Sequence, residues 1–204
     1  MSEQFPLFNN EALSTITPDQ DYAWGLICAG LDYSYIAEQL GQEVAYVQDI
    51  VFGDNPESLA SRLDINPEFY DPTTTVAILG YASGRYELPA PEVKATLYPE
   101  LASPNGTFAH PEIAFGEAAT PIAVNLCMGF NNATIAENTG RSYQKVKQYL
   151  SKFYRTKLGD LNTDDINPRT SLVVNMLASE AHYIPSGPTL MSDFIAIWRN
   201  QFIS

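Results

Sequence analysis

Residues 129–159 read GFNNATIAENTGRSYQKVKQYLSKFYRTKLG, and their spacing is that of a helix-turn-helix motif. Ala136, Gly140 and Val146 stand at the fifth, ninth and fifteenth positions of that motif. A small side chain at Ala136 lets two helices approach closely, and Gly140 can take the positive φ that ends the first helix. Ser142 is a typical N-cap of the second helix. The stretch predicts two helices joined by a tight turn, with the second helix placed to enter a major groove.

Further residues in and around this motif match one known family. They are Gly129, Ile135, Ala136, Gly140, Ser142 and Val146, then Lys157, Leu158 and Gly159, then Asn167, Arg169 and Thr170. With them the chain resembles, over residues 120–184, the LuxR-type (sigma-region-4-like) DNA-binding domain. The sequence departs from the family pattern at Thr134, Thr139 and Lys145, and a proline splits the Asn-Arg pair. The resemblance implies a domain that binds DNA and pairs on symmetric sites, and hence a homodimer.

The motif occurs twice in the chain. Residues 28–47 match residues 127–146 at a constant offset of 99, and a later block matches at an offset of 96. The matched residues of the earlier copy are Cys28, Gly30, Ile36, Ala37, Glu38, Gly41 and Val47, followed by Pro72, Thr74, Ala82, Ser83 and Pro89. Ala37, Gly41 and Val47 repeat the spacing of the motif. Duplication of one ancestral unit explains this agreement.

These patterns predict an all-α protein of two tandem four-helix helix-turn-helix (LuxR-like) modules. We expect an N-terminal module in residues 1–88, a proline-rich connector in residues 89–118, and a C-terminal module in residues 119–204 that ends in a C-terminal helix. Caps, prolines and apolar spacing place the first module's helices at 18–29, 33–40, 44–52 and 73–84, and the second's at 120–128, 132–138, 142–158 and 168–181.

Charge is divided unevenly between the two halves. The net charge of −13 by itself argues against a nucleic-acid binder. However, residues 1–118 hold 18 acidic and 3 basic residues, whereas residues 119–204 hold 6 acidic and 8 basic residues. Six of those eight basic residues lie between residues 141 and 157, in the second helix of the later motif or directly before it. The C-terminal module is therefore the predicted DNA reader.

Nine residues of this helix and its cap are candidate contacts to double-stranded DNA. They are Arg141, Ser142, Gln144, Lys145, Lys147, Gln148, Lys152, Arg155 and Lys157. Lysine pairs with phosphates or guanine edges and glutamine pairs with adenine, while the N-terminal end of a helix also favours a phosphate. The alternative interpretation is a solvated surface on a helix-turn-helix that serves only as a fold.

The earlier copy has the opposite chemistry at the equivalent helix. Glu43 and Asp49 stand there, and carboxylates would repel phosphate. We therefore predict a protein contact through Glu43 and Asp49, with a basic partner such as RNA polymerase or another DNA-binding protein. Phe194 and Trp198 share one face of the predicted C-terminal helix. They either close the module's core or form a dimer contact.

Several kinds of site lack a sequence signal. No zinc spacing, phosphate-binding glycine loop or nucleophile elbow occurs, so we predict no enzyme activity, no metal and no cofactor. Cys28 and Cys127 are interpreted as core residues. No apolar run approaches the about 18 residues of a spanning helix, and the N-terminus lacks a basic n-region. The predicted location is the cytoplasm.

Two functional hypotheses follow. The first is a DNA-binding transcriptional regulator whose C-terminal motif reads the major groove while the N-terminal copy makes protein contacts. The second is an acidic protein-interaction module that uses the helix-turn-helix only as scaffold. Such a module would be a DNA mimic or a factor that binds RNA polymerase or a regulator, of cellular or phage origin.

Overall fold

A computed structural model describes residues 13–86, 117–158 and 165–178. In these residues the chain is mostly helical, with nine α-helices and no strand, which confirms the predicted all-α class. The helices are α1 Pro18–Cys28, α2 Tyr33–Leu40, α3 Val44–Phe52, α4 Leu59–Arg62, α5 Pro72–Ala82, α6 Thr120–Cys127, α7 Asn132–Thr139, α8 Tyr143–Lys157 and α9 Pro168–Ala178. None of the helices in this part is long and apolar enough to cross a membrane.

Some predicted features lie outside the described residues. They are most of the proline-rich connector (residues 89–116) and the C-terminal helix with Phe194 and Trp198. The side chain of Lys157 also lies outside them, although its backbone ends α8.

The helices form a first set (α1–α5) and a second set (α6–α9) whose bounds repeat. The bounds of α2 and α7 agree at an offset of 99, and those of α5 and α9 agree at an offset of 96. The helices α3 and α8 begin at equivalent residues, but α3 has 9 residues and α8 has 15. The duplicated sequence therefore appears as duplicated helix positions, with the longer helix in the basic copy.

Local chemistry explains where these helices begin and end. The side chains of Asp32, Ser142 and Asn131 cap α2, α8 and α7 by accepting backbone N–H groups of the first turn. Gly41 and Gly140 end α2 and α7 at φ values of 64° and 62°. This is the left-handed conformation that the spacing of the motif predicts, and glycine adopts it at the lowest cost.

The two sets pack through contacts that occur twice with exchanged roles. The carbonyl oxygen of Gly30, after α1, accepts hydrogen bonds from the start of α9, and that of Gly129, after α6, accepts the equivalent bonds from the start of α5. The donors to Gly30 are the Asn167 N–H (3.1 Å) and the Ser171 hydroxyl (3.2 Å), and those to Gly129 are the Asp71 N–H (2.8 Å) and the Thr75 hydroxyl (3.1 Å). Equivalent residues thus make the same contact in both directions, as they do across the interface of an isologous dimer. Here both partners belong to one chain.

Equivalent residues also meet directly between the sets. The hydroxyl oxygens of Thr74 and Thr170, which are buried and equivalent at an offset of 96, lie 3.4 Å apart. On either side of them, backbone bridges join Leu31 to Ile166 and Tyr70 to Phe130, again with roles exchanged. The buried side chains of both sets belong to one hydrophobic cluster. Each set therefore completes the core of the other.

One contact between the sets departs from this symmetry. The Arg169 guanidinium of α9 donates to the Asn132 side-chain oxygen at 2.7 Å, and its Nε lies 3.6 Å from the Asp71 carboxylate of the first set. At the equivalent positions, Thr73 and Tyr33 share a hydrogen bond between their hydroxyl groups. A half-buried ion pair thus joins the starts of α5 and α9 only on one side of the molecule.

The two cysteines bear out their interpretation as core residues. Cys28 and Cys127 occupy equivalent positions, both are buried, and burial raises the pKa of the Cys127 thiol. We expect neither thiol to react with an aromatic disulfide reagent faster than the protein unfolds, because the reactive thiolate forms only on exposure. Kinetics of thiol labelling against urea concentration would check this. Rapid labelling of either cysteine in native buffer would contradict it.

Candidate nucleic-acid interface

The helix α8 divides into a buried side and a solvent side. Val146, Leu150 and Phe153 are 0%, 3% and 4% exposed, and their spacing places them on one stripe that packs into the core. Behind this stripe, α8 contacts α7 and α9. Because the buried stripe fixes the rotation of the helix, the polar residues on its opposite side point into solvent.

The solvent side of α8 carries most of the predicted DNA contacts. We call six of its exposed side chains the basic face, namely Gln144, Lys145, Lys147, Gln148, Lys152 and Arg155. Of the other candidates, Ser142 is exposed and Arg141 is half-buried. A shallow depression of about 680 Å³ runs along this side, and every described residue that lines it belongs to α8. No other helix in the described part of the chain covers the basic face.

Two tyrosines support cations of this surface. The Arg141 guanidinium and the Lys145 ammonium lie 5.3 and 5.5 Å from the ring centre of Tyr149, and the Lys147 ammonium lies 5.8 Å from that of Tyr143. Such contacts contribute about 0.5–1 kcal/mol each at exposed sites. They hold three cations close to the first turns of α8, so less side-chain freedom is lost when an anion binds there.

Tyr149 lies between the two sides of α8, because its ring packs against the core cluster and also supports two cations. Its ring is half-buried and lies beneath Arg141 and Lys145, whereas Tyr143 is 49% exposed. The sequence could have predicted these cation–ring contacts. Lys145 and Tyr149, like Tyr143 and Lys147, are four residues apart and are therefore neighbours on a helix surface.

The electrostatics of α8 favour an anion at its first turn. Between residues 141 and 157 the chain carries six basic residues and no acidic one. The Ser142 hydroxyl caps the helix by accepting the Lys145 N–H at 3.3 Å. The other N–H groups of a first turn lack intrahelical acceptors, and the helix dipole adds a partial positive charge. This end of α8 is suited to a phosphate.

The equivalent surface of the first set is exposed and acidic. We call the side chains of Glu43, Tyr46, Gln48 and Asp49, together with Asp19 of α1, the acidic face. The Tyr46 hydroxyl donates to the Asp19 carboxylate at 2.7 Å, and this bond raises the pKa of Tyr46. Val44, next to Glu43, is 39% exposed. The two copies thus present the same part of the motif to solvent with opposite charge.

A buried polar side chain of α1 holds the end of α3, and the sequence of the motif did not predict this contact. The Gln20 side-chain amide donates to the carbonyl oxygens of Ile50 (3.1 Å) and Glu57 (2.6 Å). Gln20 is 3% exposed, so losing either bond would leave a buried polar group unsatisfied. This contact fixes the acidic face relative to α1.

The described residues contain no group of three or more side chains that could hold a metal ion. No protein-family model, curated protein or solved structure matches the chain.

Proposed function

We propose that the chain is a DNA-binding transcriptional regulator, in which α7 and α8 form a LuxR-like helix-turn-helix and α8 lies in the major groove. The observation that carries this proposal is the basic face, which joins four exposed cations and two exposed glutamines on one side of a single helix. That combination serves both parts of recognition, because cations bind phosphates and glutamines bind base edges.

The turn before α8 supports the same proposal. Ala136 is 9% exposed and keeps α7 close to α8, and Gly140 turns the chain between them. Nothing lies within 4 Å of the position of a Cβ atom at Gly140, so the turn itself is open to solvent. An open turn and a projecting second helix are what a duplex needs in order to approach without meeting the rest of the protein.

Salt dependence tests this proposal. If the basic face and Arg141 neutralise about five phosphates, the slope of log K against log salt should be about −4. The measurement is fluorescence anisotropy of a labelled genomic duplex, titrated with the full chain between about 50 and 200 mM salt. Binding that is absent at low salt, or that does not change with salt, would contradict the proposal.

For the acidic copy we propose a protein contact, through Glu43 and Asp49. Both carboxylates are exposed and stand where the second copy has Ser142 and Gln148. Close approach of phosphate would cost about 1 kcal/mol per exposed pair before screening. The resemblance to LuxR-type domains adds a homodimer to the proposed partners.

The acidic face also favours a second candidate function, an interaction module that mimics DNA or binds RNA polymerase or a regulator. On that hypothesis the chain binds a basic protein and no DNA. Exchanging Glu43 and Asp49 for lysine in the full chain would then abolish binding of the basic protein. Exchanging Lys145 and Lys147 for glutamate would leave that binding intact. The transcriptional-regulator proposal expects the second exchange to be the damaging one.

A further inference from the structure

The molecule presents two surfaces of opposite charge at equivalent positions of an internally repeated fold. Residues 13–86 contain eleven acidic and two basic residues, a balance of −9. Both basic residues are engaged elsewhere: Arg85 pairs with Asp21 at 2.8 Å, and the Arg62 Nε donates to the Glu57 carbonyl oxygen, also at 2.8 Å. The acidic face therefore faces solvent without a cation from its own set.

The basic face also has no ion-pair partner in the part of the chain that the structure describes. Among the described residues, the ion pairs are those of Arg85 with Asp21 and of Arg169 with Asp71, and neither involves α3 or α8. Cation–π contacts hold Lys145 and Lys147 on tyrosine rings, which leaves their positive charge in place. Two exposed helix faces of one chain thus carry complementary charge, and no ion pair among the described residues neutralises either face.

We propose that the acidic face of one molecule binds the basic face of a second copy. Glu43 and Asp49 would pair with the lysines and Arg155 of the second copy's basic face. The Tyr46 ring beside the two carboxylates offers a surface on which a cation can stack. Val44 and Tyr143, which stand at equivalent positions and are 39% and 49% exposed, supply an apolar element on each face. The contact joins two different surfaces and is therefore heterologous.

The net charge of −13 does not oppose this contact at physiological ionic strength. Salt screens charges over about 8 Å there, so the two faces that touch determine the interaction and distant acidic residues contribute little. The shorter helix, α3, has 9 residues and is about 13 Å long, so the contact is small. Small, charged interfaces belong to weak, transient associations that form at high protein concentration.

The proposed contact makes self-association and DNA binding exclusive, since both use the basic face. This consequence rests on the proposed function, whereas the self-association does not. A molecule bound through its basic face to a second copy cannot hold a duplex with α8. A duplex should accordingly dissociate the assemblies.

Charge exchange in the full chain tests the contact. Sedimentation velocity at about 100 μM, a concentration suited to weak interfaces, compares the wild type with Glu43→Lys/Asp49→Lys and with Lys145→Glu/Lys152→Glu. We expect the wild type to associate reversibly and each variant alone to associate about tenfold more weakly or worse. An equimolar mixture of the two should recover the association, because each contributes one intact face.

Glu68→Lys/Glu117→Lys is the matched control, since both carboxylates are exposed, lie outside α3, and give the same change in net charge as Glu43→Lys/Asp49→Lys. This control should associate at least as well as the wild type. A wild type that stays monomeric, variants that associate unchanged, or a mixture that does not recover would each overturn the proposal. DNA titration of dilute Glu43→Lys/Asp49→Lys separates the two proposals: failure to bind DNA rejects the proposed function and leaves the self-association standing.

Discussion

Replacing Lys145 and Lys147 with glutamate should abolish DNA binding, with a loss of affinity of about a hundredfold or more at about 0.1 M salt. Both lysines are exposed on the first turns of α8, next to the end that favours phosphate. Each exchange removes an attraction and adds a repulsion of about 1 kcal/mol in water before screening. Anisotropy titration of a labelled duplex measures the effect.

The control for this prediction must keep the net charge equal. Lys145→Gln/Lys147→Gln makes the chain more negative by two charges, and so does Gln42→Glu/Gln48→Glu in the first set. Gln42 and Gln48 are the equivalents of Arg141 and Lys147, and both are exposed. We expect only the lysine variant to weaken binding strongly. Equal losses of DNA affinity in both variants would show that the net charge of the chain, and not the position of the lysines, causes the effect. Unchanged binding by Lys145→Glu/Lys147→Glu would refute the role of α8.

Gly30→Ala and Gly129→Ala should each lower the free energy of unfolding by about 3–4 kcal/mol. These glycines have φ values of 84° and 78°, where an alanine is strained. A Cβ atom at Gly30 would lie 2.4 Å from the Ser171 hydroxyl oxygen and 3.0 Å from its Cα, and one at Gly129 would lie 2.5 Å from the Thr75 hydroxyl oxygen. Each substitution therefore places a methyl group in the contact between the two sets, where it meets the Ser171 backbone at Gly30 and displaces the Thr75 hydroxyl at Gly129.

Two other glycines isolate the backbone strain from the collision. Gly41 and Gly140 have similar φ values of 64° and 62°, but nothing lies within 4 Å of a Cβ atom at either position. Alanine there should cost about 1–2 kcal/mol, the strain of the left-handed conformation alone. Urea unfolding, followed by circular dichroism, measures the free energy of unfolding of all four variants. The curves are fitted to a single transition with one slope of free energy against urea concentration. Equal losses at the four positions would contradict the reciprocal packing of the sets.

The same experiment asks whether the two sets unfold together. Because Gly30 of the first set contacts Ser171 of the second, the shared core predicts a single cooperative transition. Gly30→Ala should shift that whole transition. A variant that unfolds in two steps, with the second set keeping its wild-type midpoint, would show that each set is stable by itself.

Much of the helical architecture could be predicted from local sequence signals. Pro18 and Pro72 stand at the first turns of helices, and Asp71 caps α5 through the Thr74 N–H. Gly41 and Gly140 end helices at positive φ, as the spacing of the motif predicts. These signals act over three or four residues, so they can be read without knowledge of the tertiary fold.

The basic face could be predicted for a similar reason. Once Val146, Leu150 and Phe153 are assigned to the buried stripe, the helical period places Gln148 and Arg155 on the opposite side. The structure agrees with this placement. The support of Lys145 by Tyr149 was missed, because an aromatic ring beside an apolar stripe is equally well interpreted as core.

The sequence alone thus determined the helical class, the approximate positions of eight of the nine helices that the structure describes, the internal repeat, and the division of charge between an acidic and a basic copy. Only the tertiary structure decided that the copies share one core and that Gly30 meets Ser171 while Gly129 meets Thr75. The physical reason is range. Capping and helical periodicity depend on neighbouring residues, whereas the packing of one set on the other depends on the shapes of surfaces that form only after both sets have folded.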